Sequence, residues 1–206
     1  MKTVLKKSAL FTLLVALMLV STPAQAGVGG LIVKMKSGVK AGINFYPDKP
    51  SFELPIQGKM KSVGYHLGIA SRLTFLSFVY VQPELLYNRY SYDITSDATT
   101  AKMHSNLFNV PVAAGLKFGP TRFYAGPVLN IYSSSAASDD NFTDMHISYP
   151  TWGYQAGVGL SIFFLDVDLR LNGLTEAPQQ SFIYNGEART TNLPKYNLML
   201  SVGCMF

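Results

Sequence analysis

The amino-acid sequence predicts an all-β fold, an eight-stranded antiparallel up-and-down β-barrel, on three observations. Apolar and polar residues alternate with a period of two along eight separate runs of the chain, as in strands with one apolar face. Long polar connections and short turns alternate between these runs. Tyrosine and tryptophan gather near the long connections, whereas phenylalanine gathers near the short turns.

The first 26 residues have the composition of a secretory signal peptide. Three lysines precede the apolar run 9–20, and a small-residue cleavage site ends at Ala26. We therefore predict that residues 1–26 are a cleaved signal peptide and that residues 27–206 form one domain. Cleavage would lower the formal net charge from +5 to +2 and leave no basic cluster, so no nucleic-acid partner is expected.

The first four runs are residues 31–45, 63–73, 79–88 and 108–118. Each run sets branched, leucine or aromatic side chains on one face against small or polar side chains on the other. In the first run, for example, Val39, Ala41 and Ile43 alternate with Lys40 and Gly42. Because successive side chains of a strand point to opposite faces, each run predicts a strand with one apolar face.

The last four runs are residues 122–131, 152–162, 165–172 and 196–206. The seventh run alternates most regularly, with Leu165, Val167 and Leu169 on one face and Asp166 and Asp168 on the other. The eighth run keeps an apolar face to Phe206, the last residue. A strand pattern that continues to the final residue is unusual, because the last residues of most domains form a poorly ordered tail.

The long connections, residues 47–61, 91–105, 133–150 and 175–191, are expected to be polar loops. The short turns fall near residues 74–77, 119–121 and 163–164. Long loops on one side and short turns on the other are typical of a bacterial outer-membrane barrel, in which the short turns face the periplasm. Such strands must close into a ring, because lipid offers no hydrogen-bond partner to a free edge.

The distribution of aromatic residues also favours a membrane barrel. Two girdles of aromatic side chains mark the two interfaces of barrels in a bilayer. The tyrosine and tryptophan girdle would include Tyr65, Tyr87, Tyr90 and Trp152, and the phenylalanine girdle would lie at the short turns. A soluble barrel would instead face water outside and hold apolar residues inside. Here the apolar face carries hardly a charge, and the polar face is expected to be internally charge-balanced.

The polar face would then line the interior of the barrel. It carries nine charged or titratable residues: Lys40, His66, Arg72, Glu84, Lys117, Arg122, Asp166, Asp168 and Arg170. An eight-stranded barrel is narrow enough for side chains to fill. An unpaired buried charge costs several kcal/mol, so these residues are expected to form a structural network of ion pairs. With a turn centred near Phe75, His66 and Glu84 would be cross-strand partners.

Several stretches resemble the PorT-like outer-membrane β-barrel family of Bacteroidetes. They are "SGVKAGINF", "VQPELLYNRY", "NVPVAAGLKFG", "FYAGPVLN" and "YQAGVGLSIFFLDVDLRLNGL". The resemblance spans essentially the whole chain after residue 26, and it implies a small eight-stranded barrel without an assigned reaction. It also implies that Val202, Cys204 and Phe206 in the final strand form a signal read by the barrel-assembly machinery.

No arrangement of residues predicts a catalytic site. Asp144 and His146 fall in a long connection, whereas Asp166 follows a short turn, so the two groups would lie at opposite membrane faces. His104 and Ser105 are adjacent on a strand and therefore point to opposite faces. No metal-ligand spacing or cofactor motif is present, and the single cysteine excludes an intramolecular disulfide.

The sequence therefore predicts a non-enzymatic outer-membrane barrel with a side-chain-plugged interior. Its role would be structural or would consist of surface interaction through extracellular loops. Two alternatives stay open: a narrow solute or ion pore, and a lipid-modifying outer-membrane enzyme. Expected partners are outer-membrane lipid, the barrel-assembly machinery and an extracellular ligand of undetermined chemistry. The protein is expected to be a monomer that reaches the outer membrane after export to the periplasm.

Overall fold

A computed structural model describes residues 25–28, 31–47, 60–96, 99–137, 142–148, 151–177, 179–184, 187–192 and 195–206. In this part of the chain the strands are β1 (Gln25–Val28), β2 (Leu31–Pro47), β3 (Met60–Phe75), β4 (Val79–Ser96), β5 (Thr99–Phe118), β6 (Thr121–Ala137), β7 (Phe142–Ser148), β8 (Trp152–Ile162), β9 (Leu165–Leu174), β10 (Gln179–Tyr184), β11 (Glu187–Asn192) and β12 (Tyr196–Met205). None of the described residues forms a helix long and apolar enough to cross a membrane.

Eight of these strands close into an antiparallel barrel, which confirms the predicted fold. The order around the ring is β2, β12, β9, β8, β6, β5, β4 and β3, and β3 pairs again with β2. The final strand pairs with β2 on one side and β9 on the other, so the two ends of the ring meet there. Each of the eight alternating runs lies in one barrel strand, apart from Phe206, which follows β12.

Three tight turns define what we call the short-turn end of the barrel. Leu76–Phe78 joins β3 to β4, residues 119–120 join β5 to β6, and residues 163–164 join β8 to β9. Positive φ angles occur at Leu76 (51°), Ser77 (70°), Gly119 (58°) and Phe163 (57°). Positive φ at the central residues of a two-residue hairpin matches the right-handed twist of the flanking strands. The opposite rim is the long-connection end.

The prediction of a polar loop at residues 91–105 was wrong. There β4 and β5 continue as one hairpin, paired from Ser91 with His104 to Ser96 with Thr99. The predicted loops 133–150 and 175–191 also contain strands, because β7, β10 and β11 form a separate three-stranded sheet. A hairpin beyond the apolar belt needs no apolar face, so its composition resembles that of a loop.

The predicted signal peptide falls almost entirely outside the described residues, since residues 1–24 are not among them. The predicted cleavage position at Ala26 lies within β1, which pairs with the first residues of β2. Cleavage of residues 1–26 therefore stays a prediction.

The barrel strands expose apolar side chains and bury charged ones, which is the reverse of the arrangement in a soluble protein. Apolar side chains on the outer face are exposed, including Val202 at 51% and Leu67 at 57%. The largest fully buried side chains include Arg122, Arg170 and Lys40. Exposed apolar surface on this scale marks contact with an apolar phase or a partner.

The two predicted aromatic girdles are present in part. Trp152 and Tyr65 are exposed towards the long-connection end, and Phe118 and Phe163 are exposed at the short-turn end. Tyr90, which the sequence pattern places in the tyrosine and tryptophan girdle, is instead buried at 4% exposure. It shares the inward face of β4 with Glu84 and Asn88, because residues an even number of positions apart share a face.

Backbone strain at the short turns generates a first prediction. Ser77 is exposed with φ of 70°, so Ser77→Gly should raise the free energy of unfolding by up to about 1 kcal/mol. Gly119 has φ of 58°, and a methyl group added there would meet no atom within 4 Å, so Gly119→Ala should lower it by about 1 kcal/mol through backbone strain alone. Urea unfolding of the refolded barrel measures both. Changes of the same sign would contradict the assignment of strain.

Candidate functional site: the polar interior of the barrel

The nine polar residues predicted to line the interior are all on inward-facing positions. Eight of them are at most 3% exposed: Lys40, His66, Arg72, Glu84, Arg122, Asp166, Asp168 and Arg170. Lys117 is half-buried near the short-turn end. The interior of the barrel is therefore a dense polar core, with apolar side chains mostly on the outside.

Seven of these residues form a continuous chain of ion pairs, which we call the ion chain. Its members alternate in sign in the order Arg72, Asp166, Arg122, Asp168, Lys40, Glu84, Arg170. The N···O distances that follow the Arg72–Asp166 contact are 3.2, 3.0, 2.9, 2.9 and 2.7 Å. Because each inner member has neighbours of opposite charge, the chain offsets part of the cost of burying the charges.

The ion chain crosses the interior from wall to wall. Glu84 lies on β4 and Arg170 on β9, and these strands are four positions apart in the ring of eight, that is, diametrically opposite. Their side chains meet at 2.7 Å between Oε1 and Nη2. Side chains from opposite walls therefore meet in the middle of the barrel at that level.

Neutral polar groups extend the ion chain. Gln82 accepts a hydrogen bond from Arg72 Nε at 2.6 Å and donates one to Glu84 Oε1 at 2.6 Å. Arg170 Nε donates to the Tyr124 hydroxyl at 3.3 Å, and its guanidinium lies 5.4 Å from the centre of the Tyr124 ring. These contacts fix the long side chains in position, because planar guanidinium groups bond and stack in defined geometries.

Glycines on the inner face make room for these side chains. A methyl group at Gly159 would lie 2.7 Å from Arg122 Nη2 and would also collide with the Asp168 carboxylate. A methyl group at Gly42 would lie 2.6 Å from the His66 ring. At Gly42 the methyl group would also collide with the Leu200 carbonyl oxygen, so this glycine is needed for the approach of the neighbouring strand as well. Gly159 is explained by the volume of the charged side chains that cross it.

The predicted pairing of His66 with Glu84 was wrong. His66 lies opposite Asn88, and Glu84 lies opposite Ala70. The turn is centred two residues later than expected, at Ser77, because Leu76 and Ser77 take the positive φ angles of the hairpin. His66 instead has ring nitrogens 2.6 Å from Asn44 Oδ1 and 2.8 Å from Ser201 Oγ.

Side-chain amides form a second layer towards the long-connection end. Asn44 donates to Asn88 at 3.1 Å, and Asn88 donates to Asn109 at 3.2 Å. Beyond them, a small pocket that opens to solvent is lined by four asparagines together with Lys195 and Tyr196. Sequence reasoning missed this layer, because single asparagines on separate strands carry no local motif.

The residues weighed for catalysis are not brought together. Ser105 is buried, whereas His104 on the opposite face bonds to Ser91 Oγ at 2.7 Å through Nδ1. Asp144 and His146 lie on β7, and Asp166 lies at the short-turn end of the barrel interior. His66 lies between Asn44 Oδ1 and Ser201 Oγ, which is the order of orienting group, base and hydroxyl in a nucleophilic site. All three side chains are at most 1% exposed, so the Ser201 hydroxyl lies inside the polar core and not at a surface that a substrate can reach.

The three residues of the predicted assembly signal share the outer face of the chain terminus. Val202 is 51% exposed, Cys204 is half-buried and Phe206 is 67% exposed. Backbone hydrogen bonds of 3.0 Å in both directions join Phe206 to Ser37 of β2. The final residue therefore lies at the seam where the ring closes.

The family model described as "Outer membrane protein beta-barrel domain" matches residues 33–176, which is more than half of the chain. The chain belongs to this family. No curated protein matches it in sequence. Family membership places the protein in the bacterial outer membrane, so the exposed apolar face meets lipid and the short-turn end is periplasmic.

Comparison with solved structures supports the fold. The outer membrane protein OprG from Pseudomonas aeruginosa superposes with a TM-score of 0.55 at 11% sequence identity, covering 83% of this chain and 95% of that one. Ail, the attachment invasion locus protein of Yersinia pestis, was solved in complex with the heparin analogue sucrose octasulfate. It superposes with a TM-score of 0.44 at 13% sequence identity, covering 84% of this chain and 99% of that one. At these identities the likeness to OprG concerns the fold of the outer-membrane barrel alone.

The interior of this outer-membrane barrel is not charge-balanced, contrary to expectation. Of the nine predicted residues, five are Lys or Arg and three are Asp or Glu. The ion chain itself begins and ends on an arginine. The excess of positive charge lies towards the periplasmic end, where Lys117 is the cross-strand partner of Arg122.

The ion chain generates a second prediction. Glu84→Gln removes the negative charge that both Lys40 and Arg170 contact. It should lower the free energy of unfolding by about 3 kcal/mol, because the two buried cations then lack part of their opposing negative charge. Glu176→Gln removes an exposed carboxylate and should change it by less than about 0.5 kcal/mol. Urea unfolding followed by gel mobility compares the two. Equal effects would show that the ion chain does not stabilise the barrel.

Proposed function

We propose that the protein is a non-enzymatic outer-membrane barrel with a closed interior, and that it acts structurally or through surface interaction at its extracellular end. The observation that carries the proposal is the 2.7 Å ion pair between Glu84 and Arg170, which joins opposite strands of the ring. A barrel that conducts solute needs a continuous polar path, and here the path would have to pass ion pairs whose members are almost fully buried.

The extracellular end supports the second half of the proposal. The β4–β5 hairpin continues to residues 96 and 99, well above the level of Glu84. The sheet of β7, β10 and β11 adds a second ordered element in the long connections. Connections carried by a rigid scaffold are where binding residues concentrate. An extracellular partner would therefore meet paired strands.

A narrow solute or ion pore is the alternative that the same observation opposes.

We also propose that the chain belongs to the PorT-like subgroup, on the strength of "VQPELLYNRY" in β4 and "NVPVAAGLKFG" in β5. A profile built from PorT-like sequences that scored this chain no better than unrelated barrels would reject the subgroup.

The closed ring supports a monomer, because none of the eight barrel strands is left with a free ladder edge to pair with a second copy.

Single-channel recording tests the closed interior. Barrel refolded in detergent, with folding checked by heat-modifiable gel mobility, should give no unitary currents in a planar bilayer. A variant with Lys40, Arg122 and Arg170 all changed to Ala removes three of the four cations of the ion chain and should conduct if it folds. Steady currents from the unaltered protein would show that the interior is a pore.

We further propose that Val202, Cys204 and Phe206 form the signal read by the barrel-assembly machinery. Phe206→Ala should reduce the folded fraction in cells several-fold, while refolding in detergent stays nearly unchanged. Phe163→Ala is the matched control, because Phe163 is an exposed phenylalanine at the same periplasmic end, 91% exposed. Equal losses for both variants would assign the effect to the aromatic girdle.

A further inference from the structure

The periplasmic mouth of the barrel is lined by four basic side chains and one carboxylate: Lys36, Lys117, Arg72, Arg122 and Asp166. Lys36 lies on the same face of β2 as the buried Lys40, four residues closer to the periplasm. Lys36 is exposed and Lys117 is half-buried, whereas both arginines are at most 3% exposed. The two lysines can therefore be reached from the periplasm.

The strand register places like charges directly opposite each other at this mouth. Lys36 is the cross-strand partner of Arg72, and Lys117 is the cross-strand partner of Arg122. Directly opposed side chains on one face have Cβ atoms about 5 Å apart, and like charges there destabilise the strand pair. Two such pairs at one rim need a compensating negative charge.

Asp166, together with Asp168 on Arg122 at 3.0 Å, supplies it to the two arginines but not to the two lysines. The Asp166 carboxylate contacts both Arg72 and Arg122, the latter at 3.2 Å between Oδ2 and Nη2. Neither lysine has a carboxylate within ion-pair distance among the residues that the structure describes. Lys117 interacts electrostatically with Lys36, Arg72 and Arg122 as well as with Asp166. The five side chains together carry a formal charge of +3.

Arg122 adds positive charge behind the two lysines. It is fully buried, its Nη2 atom lies 3.2 Å from Asp166 and 3.0 Å from Asp168, and the Tyr80 hydroxyl interacts with its guanidinium. Because it has no exposed surface, Arg122 acts on an anion at the mouth through its charge. It lies opposite Lys117 in the strand register, at the same end of the interior.

We propose that the periplasmic mouth binds a phosphate group through Lys36 and Lys117, with the buried arginines behind them adding positive potential. A phosphate monoester carries a charge of about −1.5 to −2 and three acceptor oxygens, so it offsets more of the excess than a single carboxylate does. Leu116 and Phe118, which flank Lys117, face outward at 42% and 57% exposure. The mouth therefore lies level with the membrane interface, and the phosphate can come from a soluble phosphate monoester or, as a singly charged diester, from a phospholipid headgroup.

Phosphate titration of the refolded barrel tests the proposal. In nanodiscs of digalactosyldiacylglycerol, a lipid without phosphate, inorganic phosphate at constant ionic strength should raise the unfolding temperature saturably, and calorimetry should detect binding. The double variant Lys36→Gln and Lys117→Gln should bind phosphate at least tenfold more weakly. Without phosphate it should be more stable than the unaltered protein, because the like-charge repulsion is gone. Lys195→Gln, with one charge fewer at the extracellular pocket, should behave like the unaltered protein.

Phosphatidylglycerol nanodiscs separate the two sources. If the lipid headgroup occupies the mouth, phosphatidylglycerol raises the stability of the unaltered protein but not of the double variant, and it weakens the response to inorganic phosphate. If the ligand is soluble, that response is the same in both lipids. Absence of a saturable phosphate response in digalactosyldiacylglycerol, or an equal response in the double variant, overturns the proposal. Neither result depends on whether the barrel conducts.

Discussion

The ion pair between Glu84 and Arg170 is the interaction on which the interior depends. It joins opposite walls of the ring, and Lys40 shares the same Glu84 oxygen at 2.9 Å. Because a buried charge without a partner is strongly unfavourable, every strand that contributes to the ion chain is held in the register that brings its charge to the next one. Glycines such as Gly159 follow from the same constraint, since the crossing side chains occupy the volume that a methyl group would need.

The outer surface follows from the solvent on that side. Lipid accepts apolar side chains and offers no hydrogen bonds to the backbone, so the ladder must close and the apolar residues must face outward. The terminal strand β12 supplies the closing seam between β2 and β9. Polar groups that would lie on the surface of a soluble protein are therefore concentrated inside, where they must satisfy one another.

The two ends of the interior differ in chemistry. The periplasmic end is cationic, with like charges opposed across two strand pairs. The extracellular end is an uncharged layer of amides leading to a small pocket. The ion chain lies between these two ends.

The sequence by itself determined the eight barrel strands, their faces and the closed barrel, because each of these strands alternates with a period of two between a lipid-facing and a polar inward face. It also identified eight of the side chains that are buried in the interior, since charges on the polar face have nowhere else to go. Three features required the tertiary structure. The cross-strand partner of His66 depended on the turn between β3 and β4, whose centre lies two residues later than the sequence predicted. A shift of two residues leaves each side chain on its predicted face but changes its partner on the neighbouring strand. The hairpin above residue 91 had no apolar face to reveal it. The opposition of Lys36 to Arg72 and of Lys117 to Arg122 is a property of register, which two strands decide only when they pair.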